Sequence, residues 1–173
     1  MRLFFGLPLP PEVRAALGTW QGAHPEIDPW SRPEGLHLTL AFLGERPAEG
    51  LPALEALGAG VAGRHRAFPL ATAELGTFPE GPRARVLWLA LAPSPTLEAL
   101  AADLRGALAA AGEAFDAKPF RAHLTLARLR RPRPLGLFDA PPPATFTADR
   151  LVLFQSGPQG SYTPLRGWNL RTV

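Results

Sequence analysis

The chain has 173 residues, a formal net charge of +3, 46% hydrophobic residues and 19% charged residues, which suits one globular domain or two small lobes sharing a core. It contains no cysteine, excluding disulfides and thiolate metal sites, and no apolar run near the ~20 residues that a membrane-spanning helix needs. The opening Met-Arg-Leu-Phe-Phe-Gly-Leu-Pro has too short an apolar stretch for a signal peptide, so a cytoplasmic protein without membrane association is expected. Every basic side chain except Lys118 is an arginine. The guanidinium fork suits phosphate, although a chain this rich in Ala, Leu, Pro, Gly and Arg shows the same bias without selection for any ligand.

Residues 2–7 read as a buried strand, stopped by Pro8, Pro10 and Pro11. Pro11 and Glu12 suit the first turn of a helix, which runs to about Gln21 with Val13, Leu17 and Trp20 at helical spacing. Gly22 to Gly35 is a loop broken by prolines, and a strand over about 36–43 ends at Gly44. A second helix is expected over 48–63, from Leu51, Leu54, Leu57 and Val61. Strands follow near 67–77 and 84–91, joined by the turn Pro79-Glu80-Gly81-Pro82. Ser94-Pro95 opens the clearest helix, 95–111, with Leu97, Leu100, Leu104 and Leu108 in register and Gly112 as its stop. A strand over 121–129, a proline-rich loop from Arg130 to Pro143, and two strands over 145–155 and 165–171 complete the chain. The order is α+β, in two roughly similar halves.

His-Leu-Thr-Leu occurs twice, at 37–40 and 123–126, and each copy continues Ala-x-Leu. On a strand, alternate side chains share a face, so His37 and Thr39 point one way while Leu38 and Leu40 point the other, and His123 and Thr125 repeat the pattern. One histidine in an apolar strand is more often an ordinary core or surface residue. Two with identical flanks point to function, because packing alone does not call for imidazole plus hydroxyl at the same spacing twice. His24 and His65 lack such support and read as solvated surface residues.

A metal site is conceivable, since imidazole is a common ligand, but neither motif has an adjacent Asp or Glu. No serine sits in a nucleophile elbow, and no glycine-rich phosphate loop is present. General acid–base catalysis on a phosphodiester fits better. One neutral imidazole takes a proton from the attacking oxygen, and one protonated imidazole gives a proton to the departing oxygen. The two threonine hydroxyls donate to the non-bridging oxygens. No metal and no cofactor is needed.

Paired His-x-Thr motifs, one per half, resemble the two-histidine phosphoesterase superfamily, and most nearly its RNA 2',3'-cyclic phosphodiesterases, historically called 2'-5' RNA ligases. The resemblance extends to Arg2–Pro8, to Trp30–Gly44, to Lys118–Arg128 and to the closing blocks Leu151–Ser156 and Tyr162–Leu165. It departs at Ala122, where proline is expected. The resemblance implies a single domain over 1–173 with two pseudo-twofold-related lobes, each an antiparallel sheet backed by helices, and the histidines in the cleft between them. It implies hydrolysis of an RNA 2',3'-cyclic phosphate end to a 2'-phosphomonoester by a monomer, with His37 as proton donor, His123 as proton acceptor, and Thr39, Thr125 and Arg128 on the phosphate. A 2'-5' RNA ligase working the same site, a non-catalytic module that grips RNA ends, and an enzyme for small cyclic nucleotides are the alternatives. Strict alternation turns Arg128 away from the His123 face, so a cleft-edge phosphate contact and a solvated charge remain equally open for it. Phe42 and Trp30 offer faces for stacking on a base, but core packing is the better expectation for both.

Overall fold

The computed structural model describes residues 1–136 and 139–172; residues 137 and 138 of the proline-rich stretch lie outside them. Eleven main elements follow one another among these residues: β1 (Arg2–Pro8), α1 (Pro11–Gly22), β2 (His37–Glu45), α2 (Leu51–Ala62), β3 (Phe68–Phe78), β4 (Ala84–Leu91), α3 (Pro95–Ala110), β5 (His123–Arg133), β6 (Thr145–Ala148), β7 (Arg150–Ser156) and β8 (Tyr162–Asn169). The strands form one antiparallel sheet in the order β6-β3-β4-β5-β2-β1-β7-β8. No described helix is long and apolar enough to cross a membrane.

The order is symmetric about the β5–β2 junction, so each lobe has four strands and a His-x-Thr strand at its inner edge. The junction in the sheet is narrow: among the described residues Leu38↔Leu124 is the single ladder pair between β2 and β5. The expected two halves are present, but they are not the two halves of the chain. β7 pairs with β1, and β8 pairs with β7, so the C-terminal strands complete the first lobe.

Alternation decides which face is which. Leu3, Phe5 and Leu7 of β1, with Leu151 and Leu153 of β7, join the main core beneath the helices. Phe4, Val152 and Phe154, the intervening residues, form a separate cluster with Phe42 and Tyr162 on the opposite face. The helices cover the first face through Val13 and Leu17 of α1, Leu54 and Val61 of α2, and Leu97, Leu100, Leu104 and Leu108 of α3. Each of these leucines stabilises the fold by roughly 1.5–3 kcal/mol through burial. The Ser94 hydroxyl accepts from Leu97 N at 3.1 Å and caps α3 as its sequence suggests.

Three expectations about the strands need correction, the simplest being that β8 starts at Tyr162 and ends at Asn169 rather than running over 165–171. β5 continues through Arg130–Arg133 rather than stopping at 129, because it keeps pairing with β4 as far as Ala84↔Arg133. Pro132 is tolerated there since β2 has already diverged and leaves that edge unpaired. The expected single strand over 145–155 is broken at Asp149. β6 joins β3 at one end of the sheet while β7 joins β1 in the other lobe.

Candidate functional site

Each His-x-Thr strand contains a β-bulge at the same place. Phe5 pairs with Ala41 but Gly6 pairs with Thr39, leaving Leu40 as the extra residue. Leu87 pairs with Ala127 but Trp88 pairs with Thr125, leaving Leu126 extra. A bulge shifts the alternation by one residue. In β2 both Leu40 and Ala41 are therefore buried, and in β5 both Leu126 and Ala127. The side chain five residues past each histidine then returns to the histidine's own face: Phe42 in one strand and Arg128 in the other. This settles the direction of Arg128, which regular alternation had turned away. Gly6 makes the close approach possible, since a Cβ there would stand 2.7 Å from Leu38 O.

The extra carbonyls are not left bare. Leu40 O accepts from Arg105 Nε of α3 at 3.1 Å. Leu126 O accepts from Ser31 N at 2.7 Å and, at a long 3.5 Å, from Gln21 Nε2 of α1, which also donates to Ser31 O at 3.0 Å. Gln21 is 4% exposed, the one buried polar side chain among the described residues. Helices in equivalent positions, α1 between β1 and β2 and α3 between β4 and β5, thus each send one polar side chain to the bulge of the opposite lobe's strand. Sequence reasoning missed both residues, since neither lies in a motif.

The histidines are held alike. His37 Nδ1 lies 2.6 Å from Gly35 O, and His123 Nδ1 lies 2.6 Å from Arg121 O. In each ring Nδ1–H donates to the carbonyl two residues back, which leaves Nε2 as the working nitrogen. Continuing the Leu38↔Leu124 register by one residue sets His37 opposite Thr125 and Thr39 opposite His123. The two histidines are then diagonal neighbours, for which regular pairing gives roughly 7–8 Å between Cα atoms, enough for one phosphate between the rings.

Their surroundings differ. His37 is enclosed by aromatic rings: Phe4 stacked at 4.6 Å, Tyr162 edge-on at 4.7 Å and Phe154 at 5.6 Å. Burial pushes its pKa down from 6.5 to about 4, against the hydrogen bond to Gly35, with the Arg128 and His123 charges adding to the fall. Its Nε2 meets Thr39 Oγ1 at 3.1 Å. His123 is more open and has Phe78 edge-on at 5.7 Å. His37, Thr39, Arg128 and Tyr162 line a hollow of about 380 Å³. Thr39 also borders a larger hollow of about 750 Å³ beside His123, so the two spaces meet at that hydroxyl. Thr125 stands half-buried on the same face. The aromatic enclosure by Phe4, Phe154 and Tyr162 was not foreseen. Phe42 packs into that cluster and also lines both hollows.

The remaining histidines need correction, since neither is simply solvated. His65 Nε2 contacts Asp103 Oδ2 at 2.7 Å, with its side chain 15% exposed. Asp103 also binds Arg64, whose hydrogen bonds hold that carboxyl below its ordinary range. His24 Nδ1 lies 2.8 Å from Trp20 O. Both tie helices to neighbouring segments, away from the cleft. Among the described residues no group of three or more His, Cys, Asp or Glu could hold a metal ion.

Comparison with known proteins gives a consistent result. The family model of the 2'-5' RNA ligase superfamily matches residues 9–159. An RNA 2',3'-cyclic phosphodiesterase of Thermus thermophilus is 38% identical, covering 99% of this chain and 91% of that protein. One from Escherichia coli is 36% identical, covering 98% and 96%. Among solved structures, the Thermus thermophilus protein TT0787 superposes with a TM-score of 0.82 at 34% identity, over 99% of both chains. Escherichia coli LigT complexed with 3'-AMP gives 0.79 at 34% identity, over 98% of this chain and 97% of that one. With both His-x-Thr strands, the symmetric sheet and these matches together, the chain belongs to the 2'-5' RNA ligase superfamily.

Proposed function

We propose that this protein hydrolyses the 2',3'-cyclic phosphate at an RNA end to a 2'-phosphomonoester, without a metal. The observation that carries this is the matched pair of imidazoles, each fixed through Nδ1 to the carbonyl two residues back, which leaves Nε2 of each for chemistry, that of His37 meeting only the Thr39 hydroxyl. Its relatives' names point the same way: those compared above are RNA 2',3'-cyclic phosphodiesterases.

His123, beside the wider hollow through which water can enter, takes a proton from water at Nε2 as the water oxygen bonds to phosphorus. The P–O3' bond breaks, and His37 Nε2 gives its proton to the departing 3' oxygen, leaving the phosphate on O2'. Arg128, Thr39 and Thr125 hold the non-bridging oxygens. In the empty site the neutral His37 ring takes the Thr39 O–H as its donor. Once His37 is protonated, Nε2–H points outward and that hydroxyl is released to donate to phosphate. The negative phosphate, close to Arg128, supplies the charge that lets the buried His37 carry a proton. The residues of the site all come from one chain, and the protein acts as a monomer.

One observation favours the opposite assignment: a pKa of about 4 leaves free His37 neutral at neutral pH, as a base requires. A substrate with sulfur replacing the 3' bridging oxygen separates the two, because a thiolate departs without protonation. It restores most of the rate to the variant lacking the acid and none to the variant lacking the base. If His37 is the acid, it rescues His37→Ala.

The primary experiment follows the products from a short RNA ending in 2',3'-cyclic phosphate, in EDTA, with and without a 5'-hydroxyl RNA. The expected product is the 2'-phosphomonoester, with His37→Ala and His123→Ala each slower by ~10²–10⁴-fold. An absolute requirement for a divalent ion, or ligated RNA exceeding hydrolysed RNA, would overturn the proposal.

A further inference from the structure

Beside the His37 hollow lies a second one of about 530 Å³, lined by Trp30, Arg32, Arg128, Arg130, Gly160 and Tyr162 among others. It shares Arg128, Gly160 and Tyr162 with the catalytic hollow, so the two adjoin. We propose that this hollow is a second phosphate subsite, in which Arg130 and Arg32 hold the phosphodiester one nucleotide in from the cyclic end while Trp30 supports the adjoining nucleoside. The proposal rests on the hydrolytic reading above and deepens it, since it makes an oligonucleotide the preferred substrate over a mononucleotide.

The β5 bulge creates the track. After the shift at Leu126, Arg128 and Arg130 are both exposed while Leu129 between them is buried, so both guanidinium groups leave the strand on the catalytic face. Their origins are two residues apart, about 6.6 Å along a strand, a stride suited to successive phosphates. Arg32 reaches the same hollow from the loop before β2. No carboxylate lines it, and Glu34, which borders the adjoining hollow with Arg32, makes no ion pair with it. Among the described residues none accepts a hydrogen bond from the Arg32, Arg128 or Arg130 guanidinium. Three such donors without acceptors, grouped around one space, constitute a site for an anion.

Trp30 gives the hollow a fixed wall. Its Nε1 donates to His24 O at 2.9 Å, its ring meets Trp20 edge-on at 5.3 Å, and its backbone bridges to Ala127. The ring is only half-buried, so it can accept a base or ribose against its free surface without being reordered. The hollow beside His123 is differently equipped. There Arg105 already donates to Leu40 O and Lys118 O, and Lys118 lies near Asp116 at 3.8 Å. Its third cation, Arg121, lies over the Phe78 ring at 5.8 Å. With His37 as proton donor, the leaving oxygen and its ribose sit on the Arg130 side, and the RNA strand leaves the site over the unpartnered arginines.

The test compares a nucleoside 2',3'-cyclic phosphate with the dinucleotide carrying the same terminal nucleoside. The wild-type protein is expected to favour the dinucleotide by at least about tenfold in kcat/KM, the effect of one good ionic contact. In the double variant Arg32→Ala, Arg130→Ala that preference falls to within about twofold, with the mononucleotide rate changed by less than that. The plot of log kcat/KM against log salt for the dinucleotide flattens by about 0.7, the increment for one single-strand phosphate. Binding of the two products, the 2'-phosphorylated dinucleotide and the nucleoside 2'-phosphate, is measured calorimetrically on both proteins. That readout stands even if no hydrolysis occurs: no turnover with an arginine-dependent preference for the dinucleotide sinks the catalytic reading and keeps the subsite. Equal loss on both substrates, or no dinucleotide preference in the wild-type protein, overturns the subsite.

Discussion

His37 offers a quantitative test of the site, because its low pKa must appear in both stability and ligand binding. A fall from 6.5 to about 4 corresponds to about 3 kcal/mol against the imidazolium in the folded protein, at about 1.4 kcal/mol per pH unit. The unfolded chain takes up the proton near its ordinary pKa and the folded protein does not. Above that value the residue therefore contributes its full share, and stability is lost as pH falls through 6.5 toward 4. Linkage gives a loss of about 2 kcal/mol at pH 5, levelling at about 3 kcal/mol below pH 4. The perturbation is His37→Gln, which fills much of the same space but cannot titrate. Urea unfolding of both proteins at pH 7 and pH 5 isolates this group, since the other titrations occur in both. The wild-type protein should lose about 2 kcal/mol more than the variant over that interval. Equal losses would refute the reasoning, as would an NMR titration placing His37 at or above 6.5. The same linkage predicts that sulfate, whose charge is constant over this range, binds more tightly as pH falls, by up to about tenfold per unit.

Three further outcomes follow from particular contacts. Thr39→Val and Thr125→Val each remove one donor to an anionic oxygen, worth about 1.5–3 kcal/mol, so kcat/KM should fall by roughly 10–100-fold while the urea midpoint barely moves. Gln21→Leu leaves Ser31 O without its side-chain donor and weakens the hold on Leu126 O; calorimetry should show a stability loss of about 1–3 kcal/mol together with weaker sulfate binding, because Arg128 depends on that bulge. Asp103→Asn disturbs the half-exposed Arg64–His65 group and should cost about 1 kcal/mol, with kcat and KM unchanged.

The elements legible in the sequence were those with a local cause. Leucines at helical spacing after Ser94-Pro95 gave α3, and the duplicated motif gave both central strands and the four residues, His37, Thr39, His123 and Thr125, on which the proposed chemistry rests. The sheet order was less accessible, because nothing local tells β7 to return beside β1 while β6, one residue before it, stays with β3. Tertiary pairing alone decides that. The enclosure of His37 was hidden for the same reason: Phe4, Phe154 and Tyr162 come from three strands that meet only in the folded sheet. Arg128 is a different case. Its direction was written in the sequence, in the change of leucine spacing from two to three at Leu38-Leu40-Leu43 and again at Leu124-Leu126-Leu129. Regular alternation cannot bury all three leucines of either set, and one extra residue in the strand can.

That repeated bulge also explains why a symmetric fold contains an asymmetric site. The equivalent positions it turns toward the cleft hold Phe42 in one strand and Arg128 in the other. Phe42 extends the aromatic cluster and lies under the Arg2 guanidinium at 5.0 Å, so this strand turns a ring rather than a charge toward the cleft. Arg128 brings a positive charge across to His37. Two histidines presented by the same local geometry thereby meet different fields, one ring desolvated and facing a cation, the other open to water. A reaction in which one imidazole must give a proton while its twin accepts one needs such a difference, and the aromatic enclosure of His37 supplies it together with the pair of side chains at the matched bulges. Exchanging them in the double variant Phe42→Arg, Arg128→Phe should therefore raise the His37 pKa part of the way from about 4 toward 6.5, burial being the larger cause, which an imidazole NMR titration reads directly. If His37 kept its low pKa in that protein, burial alone would set the asymmetry and the Arg128 charge would have no part in it.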